Sequence, residues 1–337
     1  MPKLPSWRRP GPLIALFGIL LLVLYLSAGS TEWMTFARLW NALLSGPDAL
    51  HGTPDQVLFW HLRLPRAVAA ILVGASLGSA GAAFQALFRN PLADPYVIGV
   101  SSGAAVGGAL ATVFGLATAL GGLALVAFAF ASAIATLVLV FALARAGATL
   151  NVSSLLLAGV TVGACLWAVI TLILVLAGQD AVQVLSWLLG DLRATNWLHV
   201  ATISIVFIGS FFVLLSTARS LDVFALGEES ATTLGVDAER LKRKVLISGA
   251  CMTSAAVSIV GIVGFVGLFV PHIVRTIAGS RVSRVMPLSA LAGACALLLA
   301  DLAAQRVVPD REINVGVVTA LVGAPFLFIA LRKRNSS

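Results

Sequence analysis

Charge is scarce in this chain. Of 337 residues, 11% are Asp, Glu, Lys or Arg, while 59% are hydrophobic and the mean hydropathy is +1.02. Soluble domains carry roughly 25% charged residues. A water-soluble helical core is therefore excluded, and a helical protein crossing the membrane several times is implied. Catalytic and nucleotide motifs are missing too. No GxxxxGK[ST] loop is present, so the chain does not cradle nucleotide phosphates itself. There is no HExxH, no GxSxG, and no aspartate-rich pair to hold magnesium at a lipid–water interface. The three cysteines, Cys165, Cys251 and Cys295, lie far apart in apolar runs without CxxC or Cys/His spacing, and read as small core residues. Carboxylates near the middle of an apolar run are almost absent; Asp301 is the best exception, toward the outer end of its run. An ion-driven transporter or a proton relay usually needs such groups.

What is present is a set of ten apolar runs, at about 13–30, 65–86, 96–114, 121–143, 153–177, 197–217, 245–262, 264–278, 287–305 and 313–331. The last-but-two is short and contains Pro271. A polar, Trp-containing segment fills 31–62, and an amphipathic piece with Gln183, Trp187 and Asp191 fills about 180–190. The formal charge of +8 could suggest nucleic acid, but basic residues sit in short connectors and form no basic-aromatic platform. With ten spans, sixteen of the 22 Lys and Arg fall on one side, which predicts both termini in the cytoplasm. Lys3, Arg8 and Arg9 before the first run suit an uncleaved first span, with a cleaved signal peptide ending near Ser27-Ala28-Gly29-Ser30 as the alternative.

The stretch from Arg63 to Ala104 organises the rest. It opens with Arg63 and Arg66, continues through Gly/Ala-rich sequence, breaks at Arg89-Asn90-Pro91-Leu92-Ala93-Asp94-Pro95, and resumes as Gly/Ser/Ala-rich sequence. Two prolines four apart do not both fit inside one regular helix, so a helix, a polar break and a second helix are expected. A faint echo follows Lys244, where Gly249-Ala250 leads to the Pro271 helix. The two halves would enter from opposite sides, as in an inverted repeat.

Three further features carry function. Leu226-Gly227-Glu228-Glu229-Ser230-Ala231-Thr232-Thr233-Leu234-Gly235 reads as two short helices turned at Gly235, with both glutamates in a first helical turn. Such a pair between spans is a handle for a soluble partner, or an amphipathic connector at the membrane surface. Arg63 and Arg66, three apart, would share a helical face at the outer rim. Their guanidiniums suit carboxylates of an incoming protein, or anchoring at the membrane interface. His272 reads as a packed residue near a helix break.

Together these motifs resemble the permease subunit of type II ABC importers for iron–siderophore complexes, haem and cobalamin. The resemblance rests on RLPR at 63–66, on RNPLADP at 89–95 followed by GVSSGA at 99–104, and on LGEE at 226–229 with LGV at 234–236. It rests also on Pro271-His272 with Arg275, and on Val315-Gly316 through Gly323-Ala324-Pro325. It implies an all-α membrane fold of ten helices with an inverted repeat, as a single domain over 1–337. It implies a homodimer with two ATPase subunits and a periplasmic or lipid-anchored substrate-binding protein, in a bacterial cytoplasmic membrane. No cofactor belongs to this chain; ATP and Mg belong to the ATPase. The resemblance makes 219–241 the ATPase-coupling helices, carried by Leu226, Gly227, Glu228, Glu229, Ala231, Leu234 and Gly235. It assigns Arg63, Arg66 and Arg306 to binding-protein docking, although the family's third arginine position falls on Gln305 here. Asn90, Leu92, Asn151, Val152 and Ser153 become the cytoplasmic gate, where the residues alone also read as helix caps. The cargo implied is a ferric siderophore or haem, with cobalamin as the alternative. Competing classes are a secondary transporter, which needs a coupling-ion site, and a membrane enzyme, which needs a polar catalytic cluster; neither is found in the sequence.

Overall fold

Backbone contact without side chains builds the centre of the molecule. The computed structural model describes residues 10–28, 34–47, 52–146, 149–308 and 311–335. Lys3, Arg8, Arg9, Gly29 and Ser30, which entered the reading of the first span, lie outside them. In chain order the helices are α1 (Pro10–Ser27), α2 (Phe36–Ser45), α3 (Pro54–Val57), α4 (Leu64–Leu87), α5 (Val100–Val113) and α6 (Leu123–Ala144). A minimal antiparallel pair follows, β1 (Arg145–Ala146) with β2 (Thr149–Leu150). Then come α7 (Val152–Leu176), α8 (Ala181–Leu188), α9 (Trp197–Phe224), α10 (Glu228–Thr233), α11 (Ala238–Val260), α12 (Val266–Ala278), α13 (Val282–Arg306) and α14 (Val315–Asn335).

Helix α4 is the hub. It packs on α13, α11, α9 and α12. The spanning window of Pro54–Leu87 is 83% buried, against 22% for α9, so α4 is central and α9 faces outward. Its glycines explain the fit. A Cβ on Gly74 would stand 2.2 Å from the Gly293 carbonyl oxygen, one on Gly78 2.2 Å from that of Ser289, and one on Gly81 1.9 Å from that of Gly267. Such contacts against backbone admit no side chain. Small residues at crossings are how helices associate in lipid, where hydrophobic burial gives no drive.

Seven described helices are long and apolar enough to cross a membrane, by length and composition. α5, α12 and the Val315–Phe328 part of α14 are apolar but shorter. The 14 residues of α5 extend only about 21 Å at 1.5 Å per residue. The chain is thus a multi-pass helical membrane protein.

Three boundaries differ from expectation. The run expected at 96–114 begins instead with a 3₁₀ turn, Pro95–Ile98, and enters α5 at a left-handed Gly99 (φ 80°). The second of the two short helices expected after Gly235 is not separate: α11 starts at Ala238 and continues unbroken into the core. Asp237 caps it, its carboxylate accepting from Arg240 N at 2.9 Å, and no Gly or Pro stops it before Gly249. Pro271 does not break α12. Proline gives Gly267 no N–H, and the Gln85 amide donates to the carbonyls of Gly267 (3.4 Å) and Leu268 (3.0 Å) instead. The expectation for the cysteines holds unevenly: Cys295 is buried, Cys251 intermediate and Cys165 exposed on the outer face of α7.

In the connector between α4 and α5, Asp94 accepts from Tyr96 N at 2.9 Å and caps the 3₁₀ turn. Burial pushes its carboxyl up to about 6, only partly offset by that N–H.

Replacing Gly78 by Val should destabilise the solubilised protein by about 1–3 kcal/mol or more, the usual range for overpacking, and lower its Tm accordingly. Gly209→Ala inside α9, where a Cβ meets nothing within 4 Å, should not lower Tm, since Ala is the better helix former. Asp94 gives a pH signature. Its folded pKa is raised, so between about 4 and 6 the folded state holds a proton that the unfolded state has released. Its contribution to stability is therefore full below that window and falls as pH rises through it. The Tm difference between wild type and Asp94→Asn should change across pH 4–6 and be flat above it.

Candidate functional site

The 226–235 connector, expected from the sequence to couple to an ATPase, stands at one end of the bundle. α9 ends at Phe224, and the chain turns through Gly227, whose φ of 124° suits a residue without a side chain. α10 then starts with Glu228 and Glu229 at its positive end. Ala231 is fully buried and pins α10 to the bundle. Gly235 (φ 85°) closes the helix, with Gly235 N donating to Thr232 O and Val236 N to Ala231 O. Leu226 and Leu234 flank α10 and are 70% and 66% exposed. Glu229 is exposed as well.

Glu228 turns back toward the bundle, where Lys242 waits on α11. Lys242 Nζ lies 2.6 Å from Glu228 Oε1 and 2.8 Å from Glu239 Oε1, and it donates to the Leu150 carbonyl at 2.9 Å. Glu239 Oε2 accepts from Leu150 N at 3.1 Å. The coupling segment is thereby joined to the start of α7. There Asn151 caps the helix, its side chain accepting from Ser153 N (2.9 Å) and Ser154 N (3.2 Å). Val152 is half-buried and Ser153 exposed.

Asn90 plays a similar local part. Its side-chain oxygen accepts from Leu92 N at 3.0 Å, and its carbonyl from Ala93 N. α7 touches this connector closely: a Cβ on Gly159 would be 2.3 Å from the Val97 carbonyl. α7 and the 3₁₀ turn therefore touch at Gly159 and Val97, away from the residues expected to form the gate. Arg89 reaches the coupling segment, since a Cβ on Gly227 would stand 3.9 Å from its Nη1. Asp222, near the end of α9, accepts from Val282 N (2.5 Å) and Ser283 Oγ (3.0 Å) at the start of α13. Arg275 donates to Gln85.

The opposite rim differs from the sequence reading. Arg63 and Arg66 do not present free guanidiniums on a shared face. Arg63 closes a π-helical turn, Leu58–Arg63, and its side chain is 6% exposed. Its Nη1 donates to Leu26 O (2.7 Å) and Ser27 O (3.2 Å) at the end of α1. Arg66 grips Asp301 with two parallel bonds of 2.9 Å and Glu312 with a third of 2.9 Å. Tyr25 OH (2.5 Å) and Gln305 Nε2 (2.8 Å) also donate to Asp301. Asp301 is 1% exposed, and a buried carboxylate must be paired or neutralised. That demand draws Arg66 inward. Of the adjacent Gln305 and Arg306, Gln305 belongs to this inner network, while Arg306 lies outside it and donates to Ala28 O at 2.8 Å. Between α1 and α4, two bonds from Arg38 hold the Asp55 carboxyl below its usual range.

His272 is half-buried and packs edge-on against Phe326, with ring centroids 5.9 Å apart, as a packed residue does. Among the described residues no three His, Cys, Asp or Glu side chains gather as a metal site. Sequence reasoning missed Lys242, Glu239, Tyr25 and Glu312 as network members. The signal available was a lone carboxylate, Asp301, inside an apolar run.

Known proteins of similar sequence and shape agree with one another. The chain is 37% identical over 325 residues to the Fe(3+) dicitrate transport system permease protein FecD of Escherichia coli, covering 95% of this chain and 97% of that one. It is 35% identical over 339 residues to the hemin transport system permease protein HmuU of Yersinia pestis, covering 97% and 98%. It is 42% identical over 293 residues to the cobalamin import system permease protein BtuC of Halobacterium salinarum, covering 84% and 76%. Its fold matches a solved metal-chelate type ABC transporter in an inward-facing conformation, with a TM-score of 0.85 and 28% identity over 96% of this chain and 99% of that one. A family profile spans residues 16–333, nearly the whole chain from α1 to α14, and on that match the chain belongs to the FecCD transport family.

Proposed function

We propose that this chain is the membrane-spanning permease subunit of an ATP-driven importer that carries a bulky iron chelate, a ferric siderophore or haem, inward across the cytoplasmic membrane. The observation that carries this reading is the coupling segment. Leu226 and Leu234 are two-thirds exposed on a connector rich in charge and outside the apolar runs. Lipid does not cover them there. A groove on a soluble protein would, with Glu229 available for cationic contacts at its edge.

In this reading ten spans place both termini in the cytoplasm, with the three short apolar helices completing the count and an inverted repeat relating the halves. Two copies form the pathway along a two-fold axis. Two ATPase subunits dock on 219–241, and a binding protein delivers cargo to the opposite rim. ATP and Mg stay with the ATPase, which does the hydrolysis. Arg306 is the better placed of the outer arginines to meet the binding protein, because it is exposed where Arg63 is buried and Arg66 half-buried. Asn90, Leu92, Asn151, Val152 and Ser153 form the inner gate, which opens and closes as the ATPase pair moves. An intact chelate brings its own metal ligands, so the path has only to accommodate an apolar or weakly polar surface. Cobalamin is the second reading, favoured by the similarity to a cobalamin permease.

Proteoliposomes holding this chain, its ATPase and its binding protein should accumulate one of ferric siderophore, haem or cobalamin when ATP is supplied on the ATPase side. Accumulation of none, with the ATPase bound, would reject the cargo list and keep the class. A chain that binds no ATPase would reject the class. The pair Leu226→Asp and Leu234→Asp should weaken ATPase retention at least about tenfold, as loss of buried anchors does at protein interfaces. Charge reversal of Glu228 and Glu229 should abolish ATP-dependent uptake in the same assay.

A further inference from the structure

Lys242 is the most deeply buried lysine or arginine side chain at the coupling end, with 3% exposed, yet it bears a charge that the mechanism above does not use. Its three donor positions are matched by three acceptors on three parts of the chain: Glu228 of α10, Glu239 of its own helix, and the carbonyl of Leu150 in β2. Glu239 completes the arrangement by taking the Leu150 N–H. Both backbone polar groups of Leu150 are thus held by one ion pair. Leu150 is itself buried, at 4%, and directly precedes Asn151, the cap of α7.

We infer that Lys242 and Glu239 form a clasp that transmits movement of α10 to the start of α7, and that Lys242 is the positioning residue of this link. The inference rests on the reading of α10 as the ATPase handle and deepens it. The physical basis is that Lys242 is itself buried although its carboxylate partners reach solvent, so losing them leaves a buried charge without a partner. α10 and β2 therefore move as one body with the foot of α11, not past one another. A neutral contact of the same size would let them slip. The clasp also explains why Glu228 and Glu229, adjacent in sequence, point differently. Both are exposed, but Glu228 also bonds Lys242 and so carries the position of α10 to the clasp, while Glu229 is available to a partner.

The test uses the full transporter in liposomes and reads chelate carried per ATP hydrolysed. Lys242→Met keeps the stem of the side chain and removes its charge. ATPase should still be retained and should hydrolyse ATP, while chelate per ATP should fall at least about tenfold, within the usual span of coupling between sites. A spin label at Ser153, on a Cys165→Ala background, should cease to change its distance to the label on the second copy when ATP is added. Lys242→Arg, which keeps the cation, should restore most of the ratio. Should Lys242→Met fail to fold and yield no permease in the membrane, Glu239→Gln serves instead: its amide oxygen still accepts from Leu150 N but carries no charge, and the ratio should fall in the same direction. An unchanged ratio in whichever variant assembles overturns the clasp. Loss of ATPase retention in Lys242→Met with wild-type retention intact also overturns it, because Lys242 would then only shape the docking surface. A wild-type chain that retains no ATPase overturns the functional reading, and the clasp's role with it.

Discussion

The approach of α4 to its neighbours is the constraint on which the rest depends. Where Gly74, Gly78 and Gly81 meet α13 and α12, backbone touches backbone, and the helices are as near as helices can be. That proximity lets α4 run through the middle of the bundle with almost no exposed surface. It also leaves no room for an aqueous path inside one copy at this position. A pathway built by two copies is consistent with such a filled centre, and the small residues that fill it are what an apolar environment demands. Leucines at the same points would make a more hydrophobic helix and a looser bundle.

Polar chemistry is pushed to the two ends. At one rim Asp301 gathers Arg66, Tyr25 and Gln305, with Glu312 on the far side of Arg66. At the other, Lys242 gathers Glu228, Glu239 and the backbone of Leu150. Each network joins elements distant in sequence, and each has a buried charge at its centre. Desolvation is costly for such groups, and removing one partner costs more than the pair gains in net stability. Buried ion clusters of this kind do little for total stability. They fix which segments belong together.

Much of the fold was legible because an apolar run of spanning length has few alternatives. The runs at 121–143, 153–177 and 197–217 stand between polar connectors, and the helices Leu123–Ala144 and Val152–Leu176 match the first two to within two residues, while α9 continues past its apolar part to Phe224. The start of α11 was less legible. Four cations between Arg240 and Lys244 look like a surface connector, whereas on the helix Lys242 turns inward while Arg240, Arg243 and Lys244 stay exposed. The fate of Arg66 was not legible at all. Its partners lie 235 and 246 residues away, and no local pattern points to them. Pairings of this length are set by how helices stack, which composition and periodicity do not encode. The 226–235 connector stood out in the sequence because leucines beside paired glutamates are unusual between apolar runs, and the structure places both leucines in the open.

The continuity of α11 has a mechanical meaning. From Ala238 to Val260 it is 23 residues of unbroken helix, a rod of about 35 Å at 1.5 Å per residue. Its foot carries the Lys242 network, and its far end is tied by backbone hydrogen bonds to the loop around α8, Asp191 N to Val260 O and Ile262 N to Leu188 O. A rod anchored at both ends behaves as a lever. By the same length, a tilt of about 5° about one end displaces the other by about 3 Å, roughly the reach of one hydrogen bond. The Lys242 network and the loop around α8 are therefore joined by a single unbroken helix.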